Sequence, residues 1–270
     1  MRKSRILGLM AVLVGSMIIS TACTGENNIE NSKNKNNSYV GEHKESDSER
    51  IEKEKKEKIE KEKLEKEKKE QNELEEKKLV RSKILLANKE NQLKDDFVPE
   101  NLTKIDFIEF PRMYASHENQ MDKEAVEALR VLIENAKAQG IRYYGASGYR
   151  SYESQEGIYN SNVQTFGLEH ASKYVAKPGT SEHQTGLAID ITNEAGIRDG
   201  LVESFAETVE GKWLANNAYI YGFIVRYPNG KEDITGYAYE PWHIRYVGKD
   251  IAMEITEENL TLEEYIGLYK

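Results

Sequence analysis

Between Arg50 and Val80 the chain is written almost entirely in lysine and glutamate (RIEKEKKEKIEKEKLEKEKKEQNELEEKKLV). Such a run cannot bury a core, so it separates the N-terminal 49 residues from the C-terminal 190. Glu52/Lys56, Glu54/Lys58, Glu57/Lys61 and Glu62/Lys66 place glutamate four residues ahead of lysine. That order adds about 0.2–0.5 kcal/mol per pair to an isolated helix. Ile51, Ile59, Leu64, Leu74 and Leu79 keep no heptad register, so residues 50–80 read as a solvated helical spacer rather than a coiled coil. At ~1.5 Å per residue, such a helix would hold a C-terminal domain tens of ångströms from its anchor. The foldable part is then residues 81–270, enough for one core and one domain.

Residues 24–49, rich in Asn, Ser, Glu and Lys, are expected to form a disordered linker. Residues 1–23 have a basic start (Arg2, Lys3, Arg5), an apolar run from Ile6 to Ile19 and then small residues, the layout of a secretory signal. Ser20-Thr21-Ala22-Cys23 resembles the lipobox of bacterial lipoproteins, with Ser20 standing where leucine is usual. The resemblance implies a lipidated Cys23 and attachment to the bacterial cell membrane. The competing reading is an uncleaved membrane anchor with an incidental cysteine. Either one puts the rest of the chain outside the cytoplasmic membrane. Cys23 is the single cysteine, which excludes a disulfide within the chain.

The net charge of −9 falls almost wholly on the C-terminal part. An acidic domain with no basic patch argues against nucleic acid and against anionic surfaces as partners. Residues 122–140 form the clearest helix, with Asp122 as its cap, Val126, Leu129, Leu132, Ile133 and Ala136 at helical spacing, and Gly140 as its stop. Residues 141–150 read as a strand ending in a glycine turn, followed by a helix that Ser151 can cap. Further on, residues 202–227 suggest a helix and a strand, Tyr237–Gly248 an aromatic strand, and the C-terminus one or two short helices. Strands and helices do not alternate in βαβ units, so the expected class is α+β with a mostly antiparallel sheet flanked by helices.

The chemistry-bearing residues are few. Of five histidines, His43 falls in the linker, His170 in a polar helical stretch and His117 in a loop. His183 and His243 lie in strand-like apolar sequence, each near a carboxylate. In GTSEHQTGLAIDI, Leu187, Ile189 and Ile191 share one strand face and put Asp190 on the other. In EPWHIRY, Glu240 lies three residues before His243, and Pro241 favours a local turn that brings the two together. Two imidazoles and a carboxylate make a three-ligand set for catalytic zinc with one position open, and Glu240 could serve as the general base. The alternative is a pair of structural ion pairs. Arg150, at a glycine turn before a helix, could neutralise a carboxylate or oxyanion, and Gln155 could face the same way.

SGYRSYESQ, SEHQTGLAIDI and EPWHIRYVG together resemble the VanY-like D-alanyl-D-alanine carboxypeptidases, zinc peptidases of the bacterial cell wall. Ser181, His183, Gly186, Ala188 and Asp190 meet the family's SxHxxGxAxD pattern, and the likeness runs from about Leu85 to Gly248. The resemblance implies zinc on His183, Asp190 and His243, with Glu240 as base. It implies Arg150 on the substrate's carbonyl or terminal carboxylate, and substrate contacts from Gln155 and Ser181. The substrate would be peptidoglycan stem peptides. An L,D-carboxypeptidase acting on tetrapeptide stems shares the same metal pattern. A non-catalytic wall-binding module would not need Glu240.

Overall fold

The computed structural model describes residues 46–112 and 118–267. The signal segment with Cys23, nearly all of the linker, His43 and His117 lie outside the described residues. Two compact units are distinguished, residues 1–60 and residues 61–270. Of the first, only the opening turns of helix α1 (Asp47–Ser82) are described, with Glu52 and Lys56 closed at 2.9 Å. The helix therefore begins at Asp47, inside the stretch expected to be linker. Ser46 supplies the reason, since its side chain and backbone meet Glu49 across the first turn.

The second unit is built on a four-stranded antiparallel sheet. Ahead of it come the short pair β1 (Leu102–Lys104) and β2 (Gln120–Asp122), and then α2 (Lys123–Ala138). Asp122 caps α2 by accepting from Glu124 N, and Leu129, Leu132 and Ala136 are fully buried along one face. Burial of a leucine of this kind stabilises the fold by about 1.5–3 kcal/mol. Strand β3 (Tyr144–Ser147) leads into α3 (Tyr152–Phe166), capped by the Ser151 hydroxyl, and then α4 (Leu168–Tyr174). After β4 (Ala188–Thr192) come α5 (Glu194–Asp199), α6 (Val209–Asn217), β5 (Phe223–Val225) and α7 (Glu232–Thr235). Strand β6 (His243–Tyr246), α8 (Lys249–Glu257) and α9 (Leu262–Gly267) complete the unit.

The strand order is β3-β4-β6-β5, and every pairing is antiparallel. Ile189, Ile191 and Ile244 project from one face into a core completed by Met121, Leu129, Leu132 and Phe223. The opposite face carries the polar side chains. This is the α+β architecture with an antiparallel sheet and flanking helices that the order of elements predicts.

One expectation here needs correction. The aromatic strand expected over Tyr237–Gly248 is a strand only from His243 to Tyr246. Before it, Pro241 and Trp242 form a turn closed by His243 N donating to Glu240 O at 3.2 Å. Pro241 has no N–H for a ladder, so pairing begins after the turn. The spacer is exposed along residues 50–80 apart from the half-buried Leu74, and Lys77 reaches Glu254 of α8 at 2.8 Å.

Candidate active site

The site forms where β4 and β6 run side by side. Their register pairs Ile189 with Ile244 and Asp190 with His243. Because side chains alternate, the pairing that sends two isoleucines into the core sends Asp190 and His243 together to the other face. A slip by one residue would exchange the faces. His183 reaches the same point from a 3-10 turn, Glu182–Thr185, just ahead of β4. Gly186 ends this turn in the left-handed region at φ 69°, where a Cβ would also approach Pro99 Cγ to 3.0 Å.

His183 Nε2 is 3.2 Å from Asp190 Oδ2, and His243 Nδ1 is 2.8 Å from Asp190 Oδ1. The two imidazoles stand edge to face, with centroids 4.9 Å apart. His183 Nδ1–H donates to the Gly148 carbonyl at 2.8 Å, so Nε2 turns a lone pair toward the carboxylate. That lone pair and a buried carboxylate repel unless positive charge lies between them, whereas His243 Nδ1 donates to Asp190 Oδ1. All three residues are buried, and one donor atom from each lies within 4.8 Å of the others. This donor set fits a divalent cation that favours nitrogen and oxygen ligands, zinc above all.

Electrostatics separate the three groups. Burial opposes ionisation of Asp190, but His183 and His243 outweigh it and hold the carboxyl well below the usual carboxylate range. Burial pushes His183 down, helped by the charges of Arg150 and His243. Burial would do the same to His243, yet its bond to Asp190 and the negative charge of the nearby Glu182 and Glu240 raise it to about 9. Glu240 Oε2 lies 3.9 Å from His243 Nδ1. Burial, reinforced by Asp190 and Glu182, pushes its carboxyl up to about 7 against the pull of His243 and Arg150.

Arg150 follows a close backbone crossing. A Cβ on Gly148 would clash with the backbone carbonyl oxygens of Gln120 and Glu118, so only glycine fits there. Arg150 Nε donates to both oxygens of Glu118 at 3.2 Å, Nη1 to Gln155 Oε1 at 2.8 Å and Nη2 to Ser147 Oγ at 2.6 Å. Gln155 is itself fixed by donating to Ala176 O at 2.7 Å. Arg150, Gln155, Ser181, Glu240 and the three clustered residues all line one cavity of about 220 Å³, with Tyr227 and Trp242 in its wall. All seven residues singled out in the sequence therefore meet in one place. His170 does not: it is exposed on α4, flanked by the tilted rings of Phe166 and Tyr174 with centroids at 4.8 Å each.

Two acids escaped the sequence reading. Glu118, 3 % exposed, receives Arg150 and the Ser147 hydroxyl. Nothing in its sequence neighbourhood marks it. Glu182, 1 % exposed, binds Arg226 and Arg245. A signal existed here, since both arginines sit in apolar strand-like contexts (IVRY and HIRY) and need a buried acid.

An antiparallel α+β scaffold with a buried His-Asp-His cluster and an adjacent carboxylate defines a hydrolase-type site able to hold a catalytic metal. The chain belongs to the VanY family, D-alanyl-D-alanine carboxypeptidases, which matches residues 118–249. YodJ of Bacillus subtilis is 45 % identical over 187 residues, 69 % of this chain and 68 % of that protein. Among solved structures, the LdcB LD-carboxypeptidase is 45 % identical, covering 68 % of this chain and 86 % of that one with a TM-score of 0.63. The vancomycin-resistance D,D-pentapeptidase VanY of a VanB-type cassette, a complex with Zn(II), is 36 % identical. It covers 67 % of this chain and 97 % of that one, with a TM-score of 0.55. The protein is thus a carboxypeptidase of the VanY family.

Proposed function

We propose that the protein removes the C-terminal D-alanine from peptidoglycan stem peptides as a zinc-dependent D-alanyl-D-alanine carboxypeptidase, with zinc held by His183, Asp190 and His243. The observation that carries this reading is the register pairing of Asp190 with His243 at a cavity that also receives His183 and Glu240. Bound there, zinc would polarise the scissile carbonyl and make water acidic enough to supply hydroxide near neutral pH.

The chain's own residues do the remaining work. Glu240, beside the cluster and held ionised once a dication is bound there, takes a proton from water and returns it to the leaving amine. Arg150 has two N–H groups beyond its bonds to Glu118, Gln155 and Ser147. They are available to a substrate carbonyl oxygen or terminal carboxylate. Gln155 acts through Arg150 by fixing its guanidinium, and Ser181 offers a polar contact in the cavity wall.

A second reading, L,D-carboxypeptidase, is supported by the higher identity to LdcB than to the D,D-pentapeptidase, 45 % against 36 %. Release of D-alanine from tetrapeptide and pentapeptide stems, measured side by side with and without chelator, separates the two. Preference for the pentapeptide supports the D,D reading, and preference for the tetrapeptide replaces it. Release from neither would point to a wall-binding module. The lipobox-like Ser20–Cys23 supports a further proposal, that the mature protein is held outside the bacterial membrane by a lipid on Cys23. Lipid labelling that survives Cys23→Ala would contradict it.

A further inference from the structure

Behind the His-Asp-His cluster lies a buried carboxylate with no part in the proposed hydrolysis. Glu182 Oε1 accepts from Arg226 Nε and from Arg245 Nη1, both at 2.7 Å. Its other oxygen, Oε2, is buried with no hydrogen-bond partner. His243 Nε2 is equally buried and unpartnered, and it lies 3.6 Å from that oxygen. An unsatisfied buried polar atom costs about 1–3 kcal/mol, so a shift of a few tenths of an ångström that joins the two is favoured.

We propose that Glu182 is a positioning residue whose Oε2 takes the Nε2 proton of His243, leaving the Nδ1 lone pair aimed at Asp190 and the metal. This rests on the reading of His183, Asp190 and His243 as metal ligands. The polarity of the network runs one way only. Arginines only donate and a carboxylate only accepts, so Glu182 can present nothing but an acceptor to His243. A glutamine here could turn its NH2 toward Nε2 and favour the opposite tautomer.

The carboxylate is also held from behind. Arg226 donates through Nη1 and Nη2 to both oxygens of Glu263 on α9, and Asn88 Nδ2 donates to Glu263 at 3.0 Å. Arg245 Nη2 donates to the Leu85 carbonyl. The lead-in segment and the C-terminal helix thereby brace the arginines that fix Glu182. This gives α9 a place in the site's construction although it contributes nothing to the cavity wall. Outer carboxylates on ligating histidines alter metal affinity by about 10–100-fold.

The test is zinc affinity by chelator competition for the wild-type protein, Glu182→Gln and Glu263→Gln, with NMR of the His243 ring in the zinc-loaded wild type. Glu263→Gln weakens the same arginine network without changing the atom that faces His243. The expected result is a loss of about 10–100-fold for Glu182→Gln and less than about threefold for Glu263→Gln. The wild type should show a downfield, slowly exchanging Nε2–H proton. Equal losses in the two variants would make Glu182 a mere counter-ion and overturn the proposal, as would unchanged affinity in Glu182→Gln. Should Glu182→Gln not fold, the wild-type proton decides: its presence supports the bond and its absence refutes it. A wild type that binds no zinc overturns the ligand reading and this proposal with it, an outcome distinct from zinc binding that is indifferent to Glu182.

Discussion

Zinc binding to this protein should depend steeply on pH, and His243 sets the dependence. With its pKa raised to about 9, the metal-free imidazole carries a proton at neutral pH, and Nδ1 must lose it before it can ligate. His183, pushed down by burial, is already neutral. One proton therefore leaves per zinc bound between pH 7 and pH 9, and affinity rises by about tenfold per pH unit, about a hundredfold across the window. Below pH 7 the slope should steepen, because a dication beside Glu240 also favours release of its proton. The metal-free protein has a matching stability term. The folded chain holds the His243 proton more tightly than the unfolded chain does, so this contribution is full below about pH 6.5. It is lost as pH rises through about 9, a change on the order of 3 kcal/mol. Titration calorimetry in buffers of differing ionisation enthalpy counts the released protons directly, and chelator competition from pH 6.5 to 9 gives the slope. An affinity that stays flat across that range would refute the assignment of His243 Nδ1 as a ligand.

Three other perturbations report on separate parts of the site. Glu240→Ala should lower D-alanine release by about 10²–10⁴-fold while zinc stoichiometry is unchanged, and near-normal turnover would show that another group is the base. Arg150→Lys removes the fork that spans Glu118, Gln155 and Ser147, and kcat should drop by about 10²–10³-fold, as for loss of an oxyanion donor. A kcat within threefold of wild type would show that Arg150 is structural. Gly186→Ala forces a side chain into φ 69° beside Pro99, which should cost about 1–2 kcal/mol or more and lower the Tm; an unchanged Tm would contradict that strain.

What could be read from the sequence was local in character. The α2 periodicity, the Asp122 and Ser151 caps and the Gly140 stop follow from propensity and capping within a turn or two of chain, and all appear where expected. The parity of Leu187, Ile189 and Ile191 placed Asp190 on the polar strand face for the same reason. Three short segments carried the family likeness and with it the residues that line the cavity. Tertiary structure alone decided the rest. The pairing of Asp190 with His243 depends on a strand register 53 residues apart in sequence, and no local pattern in either strand specifies it. The acids that serve Arg150, Arg226 and Arg245 are 32, 44 and 63 residues away from them. Buried ion pairs of that kind are selected by the geometry of the closed core, because an arginine desolvated by folding must find whichever carboxylate the fold brings to it.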